Sequence, residues 1–266
     1  VAAQPTGHGQ HRGDDRAAGS RKLHAAVDPR RLEAQPLLDR GDAPHFLLKE
    51  IGEAPRSFQK TLRGKIIERN GLLRAEIGEH ALPPEIAARL AAGTISRVRV
   101  IGQGTAAVAG QSAAALLDEL CGGTLDVDAI AATELSGFQL RLDMSDTLAI
   151  AVSQSGTTTD TNRTVDLLRS RGAAVIGIVN RRASDLVDKA DGILYTSDGR
   201  DIEMSVASTK AFYAQVAAGA LLACAISEAA GVGSDQRRPG SRRRSATGRS
   251  SATVRITSRR RRCGSS

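Results

Sequence analysis

From residue 95 onward, short extended runs alternate with helix-like stretches. Residues 95–101 (ISRVRVI) are rich in β-branched side chains, and residues 147–152 (TLAIAV) and 174–179 (AVIGIV) are apolar at nearly every position. Weaker runs lie at 124–130 and 192–196. Between them, residues 105–120, 133–140, 160–171 and 184–190 have helical spacing, and an Ala-rich helix follows the polar loop at 205–209 and runs to about residue 230. Strands apolar on both faces need helices on both sides. The pattern therefore predicts an α/β fold, a doubly wound parallel sheet in a three-layer sandwich.

The flanks differ. Residues 45–93 read as helical, with pieces at 45–51 and 57–67 parted by Pro55 and a third at 84–92 after Pro83-Pro84. Residues 1–44 mix Gly, Pro, Asp and Arg with three of the five His and read as disordered. His8, His11 and His24 have no spacing that fixes a ligand geometry, so they read as solvated rather than metal-binding. Beyond Gly233 the chain is mostly Arg, Ser and Gly. The expected division is 1–44, a helical lead-in at 45–94, the sheet domain at 95–233, and a disordered tail at 234–266.

Aromatic residues make up only 2% of the 266 positions, with no Trp, so the core must be built from Ala, Val, Leu and Ile. That argues against a stacking platform for single-stranded nucleic acid. The net charge of +8 is concentrated: residues 235–266 hold eleven Arg against one Asp, and the remainder is mildly acidic. Nucleic acid is expected to bind only non-specifically, through that tail. The three Cys are far apart and form no CxxC pair, which speaks against a disulfide framework or zinc site. Cys121 and Cys224 read as small buried hydrophobes in a reducing, cytoplasmic setting. No unbroken apolar run reaches the roughly 18 residues of a membrane span, and the polar start at Val1 lacks a signal-peptide core. No membrane partner, metal or cofactor is expected.

In an open parallel sheet, ligands bind beyond the carboxyl ends of the strands. Three polar loops are placed to do so: Gly102-Gln103-Gly104-Thr105-Ala106, Ser153-Gln154-Ser155-Gly156-Thr157-Thr158-Thr159, and Val206-Ala207-Ser208-Thr209-Lys210. The middle loop puts five hydroxyl residues and a Gly between a buried strand and a helix start. Free backbone N–H groups and the helix dipole favour an anion there, so the loop reads as a phosphate cradle that needs neither Lys nor metal. Simple capping by Thr159 or Asp160 would need only one such residue. The first loop, Gly102-x-Gly104-x-x-Ala107, fits a dinucleotide turn with Asp126 or Asp128 as the ribose acid, close strand–helix packing, or one edge of a ligand touched by several loops. Ser155 is a poor hydrolytic nucleophile, because every His lies at or before His80. Lys210 reads equally as an anion contact or a solvated charge. Glu203 and Asp160 are candidate bases with no identifiable acid partner, and Glu203 reads otherwise as a carboxylate facing solvent beside Asp201.

Ser153-Gln154-Ser155-Gly156-x-Thr158-x-Asp160-Thr161, followed by Val206-Ala207-Ser208-Thr209-Lys210-Ala211-Phe212, resembles the sugar isomerase (SIS) domain of glutamine–fructose-6-phosphate aminotransferases. His45-Phe46-x-Leu48-Lys49-Glu50-Ile51 is similar to the stretch that leads into that domain. The resemblance runs from about residue 45 to 230. It implies a SIS-type, flavodoxin-like sandwich and a hexose 6-phosphate ligand held by Thr105, Ser153, Gln154, Ser155 and Thr158, with Val206 and Ser208 on the sugar. It also implies an enzyme family that makes glucosamine 6-phosphate from fructose 6-phosphate and glutamine, and a homodimer. Where the family usually has Cys-Gly-Thr-Ser, this chain has Gln103-Gly104-Thr105-Ala106, one hydroxyl donor fewer. The family's glutaminase domain and second SIS domain, with its acid–base groups, have no counterpart here. This reads as a fragment that binds without catalysing, and no catalytic residue is assigned. A non-catalytic sugar-phosphate sensor and a dinucleotide-dependent oxidoreductase are the other readings. The Arg/Ser/Gly bias of the tail fits a shifted reading frame in GC-rich coding sequence, against a genuine basic tail.

Overall fold

The computed structural model describes residues 40–69, 71–204 and 208–232. The expectations for 1–39, for Val206 and for the Arg-rich stretch beyond 232 lie outside the described residues. The chain order is α1 (Phe46–Leu62), β1 (Ile66–Arg69), β2 (Leu72–Ala75), α2 (Pro84–Ala91), β3 (Arg97–Gly102), α3 (Thr105–Cys121), β4 (Asp126–Ala131), α4 (Ala132–Glu134), β5 (Thr147–Ser153), α5 (Thr159–Ser170), β6 (Ala174–Val179), α6 (Asp185–Lys189), β7 (Gly192–Tyr195) and α7 (Lys210–Ala229).

Strands β3 to β7 form a five-stranded, all-parallel sheet in the order β4-β3-β5-β6-β7. β5 and β6 are buried along their whole length, which is why they read as unbroken apolar runs. Successive side chains feed two cores. Leu148, Ile150 and Val152 join Ile176, Ile178, Leu117, Leu222 and Ile226 on the side covered by α2, α3 and α7. Ala149, Ala151, Val175 and Val179 join Leu135, Val165, Leu168 and Leu186 on the side covered by α4, α5 and α6. The three-layer, doubly wound sandwich is as the pattern predicts. The edge strand β4 carries exposed Asp126 and Asp128, charges that discourage edge-to-edge pairing.

α7 is long and apolar enough to cross a membrane by length and composition, but it is mostly buried inside the domain. It serves as a core helix against α3. At that contact a Cβ on Gly219 would lie 2.7 Å from the Ala113 Cβ, so the two helices meet at a closeness only Gly permits.

The lead-in departs from its expectation twice. α1 is one helix that runs through Pro55 instead of breaking there. Pro removes one intrahelical bond and crowds the carbonyl four residues back. Here Pro55 and Ile51 are both exposed, so water can serve the freed carbonyl, while Glu50, Ala54, Ser57 and Thr61 form the buried stripe that keeps the helix whole. Residues 66–75 are not helical but an antiparallel hairpin, with Ile66 opposite Ala75 and Arg69 opposite Leu72. Gly64 at φ 69° follows the end of the helix, and the Asn70-Gly71 dipeptide is a hairpin turn signal. A smaller difference is that the helix expected at 133–140 is the short α4 passing into a π-helical turn, Leu135–Gln139.

Candidate functional site

The strand order reverses between β3 and β5, so the loops that leave these two strands part to opposite faces and open a crevice at their carboxyl ends. A pocket of about 200 Å³ lies there, lined by Gln103, Thr105, Ala106, Val152, Ser153, Gln154, Ser155, Thr158, Glu203, Ser208 and Gln215. The structure thus gathers Thr105, Ser153, Gln154, Ser155, Thr158 and Ser208 in one place.

The loop after β5 is held from three sides. Asn180 N and Arg181 N donate to Gln154 O at 3.1 and 3.3 Å. Leu186 N and Asn162 Nδ2 both donate to Gly156 O at 3.0 Å, and Asn162 Nδ2 also reaches Thr158 O at 3.1 Å. Gly156 sits at φ 67°, and any Cβ there would fall 2.1 Å from Ser184 Oγ. With these carbonyls tied back, the hydroxyls face one another and the pocket. Ser153 Oγ accepts from Gly156 N at 3.0 Å, and Ser155 Oγ accepts from Thr157 N at 3.2 Å and Thr157 Oγ1 at 3.0 Å. These bonds use the Ser oxygens as acceptors and leave the Ser155 O–H proton to donate elsewhere, while Ser153 Oγ and Thr158 Oγ1 share one proton at 3.4 Å and leave the other to donate.

Three helix starts converge on the pocket, and they differ. Thr158 is the N-cap of α5 and Gly104 that of α3, and neither helix has a side-chain cap hydrogen bond. Capping therefore does not consume the hydroxyls of the β5–α5 loop, and the first-turn N–H groups of α5 keep their affinity for an anion, whereas at α3 Ala106 N and Ala107 N donate to Gln103 O and Gly104 O at 3.2 and 3.1 Å. The start of α7 is closed by Glu203, whose Oε1 accepts from Thr209 N at 2.6 Å, Thr209 Oγ1 at 2.8 Å and Ala211 N at 3.3 Å. Ser208 Oγ donates to its Oε2 at 3.2 Å. Glu203 is thus a half-buried capping carboxylate, not one that faces solvent.

Lys210 is neither an anion contact nor a solvated charge. Its side chain is buried and its Nζ lies 2.5 Å from Glu53 Oε2 on α1. Asp160, exposed at the start of α5, accepts from Gln103 Nε2 at 3.4 Å. Cys121 is fully buried, and burial first, then the nearby Asp118 charge, pushes its thiol up to about 11, as befits a packing residue.

Three further tethers from α1 hold the segment that leads to Glu203 and Ser208. Lys60 Nζ donates to Asp201 Oδ1 at 3.0 Å, Met204 N to Glu50 Oε1 at 2.5 Å, and Ser197 N to Thr61 Oγ1 at 2.9 Å. Burial alone would raise the Asp201 carboxyl, but hydrogen bonds from Ser197 and Lys60, with the Lys60 charge, outweigh it and hold the group below its ordinary value.

A family model of the SIS domain matches residues 95–225. The chain carries a SIS domain. It is 39% identical over 188 residues to glutamine–fructose-6-phosphate aminotransferase (isomerizing) of Symbiobacterium thermophilum, and 36% identical over 187 residues to that of Thermus thermophilus. Each alignment takes in 70% of this chain, and the chain spans 28% of the length of each relative. The C-terminal domain of glucosamine-fructose-6-phosphate aminotransferase from Francisella tularensis shares the fold, with a TM-score of 0.60 at 24% identity, over 74% of this chain and 51% of that one. The likeness read from residues 153–161 and 206–212 is borne out.

Sequence reasoning missed Gln215, a pocket-lining residue on α7. Its one signal was a Gln within an otherwise Ala- and Leu-rich helix.

Proposed function

We propose that this SIS domain binds a hexose 6-phosphate, with the phosphate in the loop after β5 and the sugar toward Ser208 and Glu203. The observation that carries the reading is the pair of uncapped helix starts, α3 and α5, at the switch point of the sheet beside donor hydroxyls. The relatives' names add fructose 6-phosphate as the ligand to try first. Thr105, Ser153, Gln154, Ser155 and Thr158 serve the phosphate end.

On this reading the stretch of chain at hand binds and does not turn the sugar over. Moving a proton between adjacent carbons needs a positioned base and an acid to open the ring. Among the described residues of the pocket the one carboxylate, Glu203, is committed to the start of α7. The relatives' synthase reaction would belong to a longer assembly, with a second copy of the chain as the natural partner.

Calorimetric titration with fructose 6-phosphate and glucosamine 6-phosphate tests the reading. Hydrogen bonds to a charged group contribute roughly 1.5–3 kcal/mol, so Ser155→Ala weakens binding about tenfold or more while the fold is unchanged. Equal affinity in both proteins removes the phosphate from this loop. Ammonium-dependent formation of glucosamine 6-phosphate by the purified chain would overturn the claim that it only binds.

A further inference from the structure

The wall of the pocket opposite the hydroxyl loop contains a group whose chemistry is unsatisfied. Gln215 lies in the second turn of α7, is only 3% exposed, and lines the pocket with Thr105, Ala106, Glu203 and Ser208. Its side-chain Oε1 is enclosed and has no hydrogen-bond partner among the described residues. A buried carbonyl without a donor is costly, and native folds nearly always supply one. Leu or Met at this position of an apolar helix would avoid the cost. We propose that Gln215 is a specificity-determining residue whose side-chain carbonyl accepts a hydrogen bond from a sugar hydroxyl of the bound ligand. The proposal rests on the reading of the pocket as a hexose 6-phosphate site and says how that site tells a sugar phosphate from phosphate alone.

The two walls have opposite hydrogen-bonding character. Ser153, Ser155 and Thr158 with the start of α5 offer donors. The α7 side offers acceptors, the Glu203 carboxylate and the Gln215 carbonyl. A molecule that spans the pocket must present acceptors at one end and donors at the other. A phosphorylated polyol does so, whereas inorganic phosphate satisfies the first wall only. A trapped water is the competing partner for Gln215, and it would make hexose phosphate affinity independent of this side chain.

The test compares inorganic phosphate with fructose 6-phosphate on the full chain, by calorimetry, for the wild type, Gln215→Met and Gln215→Leu. Loss of one sugar hydrogen bond lowers fructose 6-phosphate affinity about tenfold, with phosphate affinity kept within about twofold. The midpoint of thermal unfolding stays level or rises, because an unpaired buried carbonyl has been removed; a structural role would lower it. Unchanged fructose 6-phosphate affinity in a folded variant, or an equal loss for both ligands, overturns the proposal. Should neither variant fold, the wild type decides. The Gln215 side-chain amide resonances must shift on adding fructose 6-phosphate and not on adding phosphate, and a shift with neither or with both overturns the assignment. If the wild type binds neither ligand, the hexose phosphate reading itself falls. That result differs from a wild type that binds both and is indifferent to residue 215.

Discussion

α7 packs against a helix on each side, and the two seams are built differently. Toward α3 the contact is apolar and tight: Gly219 meets Ala113, with Ala114, Leu117, Ala218 and Leu222 around them in one core. Toward α1 it is fastened by charge, with buried Lys210 on Glu53. Just before α7, Glu50 and Lys60 hold residues 204 and 201. The apolar seam is a matter of volume and is indifferent to pH and salt. The polar seam does little to hide apolar surface, but it fixes the segment that presents Glu203 and Ser208 to the pocket. One helix is therefore anchored by shape on its α3 side and aimed by charge at its start.

The largest effect is expected where volume is critical. Gly219→Leu drives a side chain into Ala113 and costs about 3 kcal/mol or more, read as a lower denaturation midpoint. Wild-type stability in that variant would mean the seam is looser than described.

The polar seam should respond asymmetrically. The Lys210 side chain is 7% exposed and that of Glu53 36%. Glu53→Gln strands a buried ammonium and costs about 2 kcal/mol, less than for a fully buried pair because Glu53 is partly solvated. Lys210→Met removes the buried charge itself and stays within about 1 kcal/mol of wild type. Equal losses in the two variants, measured by urea unfolding, would show that the charge contributes nothing apart from packing.

Asp201 supplies a smaller, pH-dependent difference. Its carboxyl is held below its ordinary value near 3.8 in the folded chain. The stability it lends is therefore present in full above that value and is lost as pH falls through the lower, folded one. Asp201→Asn should remove this part of the acid dependence and leave the α3 seam untouched. A variant whose stability falls with acid as steeply as wild type would take Asp201 out of the polar seam's energetics.

These same differences explain what could be read in advance. β5 and β6 were visible because burial on both faces writes an unbroken apolar run, and the polar stretch after β5 stood out beside it. The hairpin at 66–75 is hard to see because its signal is a single Asn-Gly step among residues with helical spacing. Pro55 reads as a breaker in sequence, but its effect depends on whether the freed carbonyl meets water. Lys210 and Glu53 lie 157 positions apart, and no local pattern announces that they pair. Glu203 reads as one more surface acid until α7 is seen to begin beside it. Gln215 is silent in sequence because its significance lies in a side-chain carbonyl with no partner among the described residues.

The described lining of the pocket holds no Lys or Arg, and its one ionised group, Glu203, is negative. An oxyanion seated there by neutral N–H and O–H donors releases few condensed ions and feels little of the surrounding salt. A plot of affinity against ionic strength should be nearly flat, unlike that of a site built from guanidinium or ammonium groups. The described lining also supplies no cation to draw a phosphorylated molecule into the crevice. Discrimination then falls on departure: a molecule that matches both walls stays, and one that matches a single wall leaves sooner.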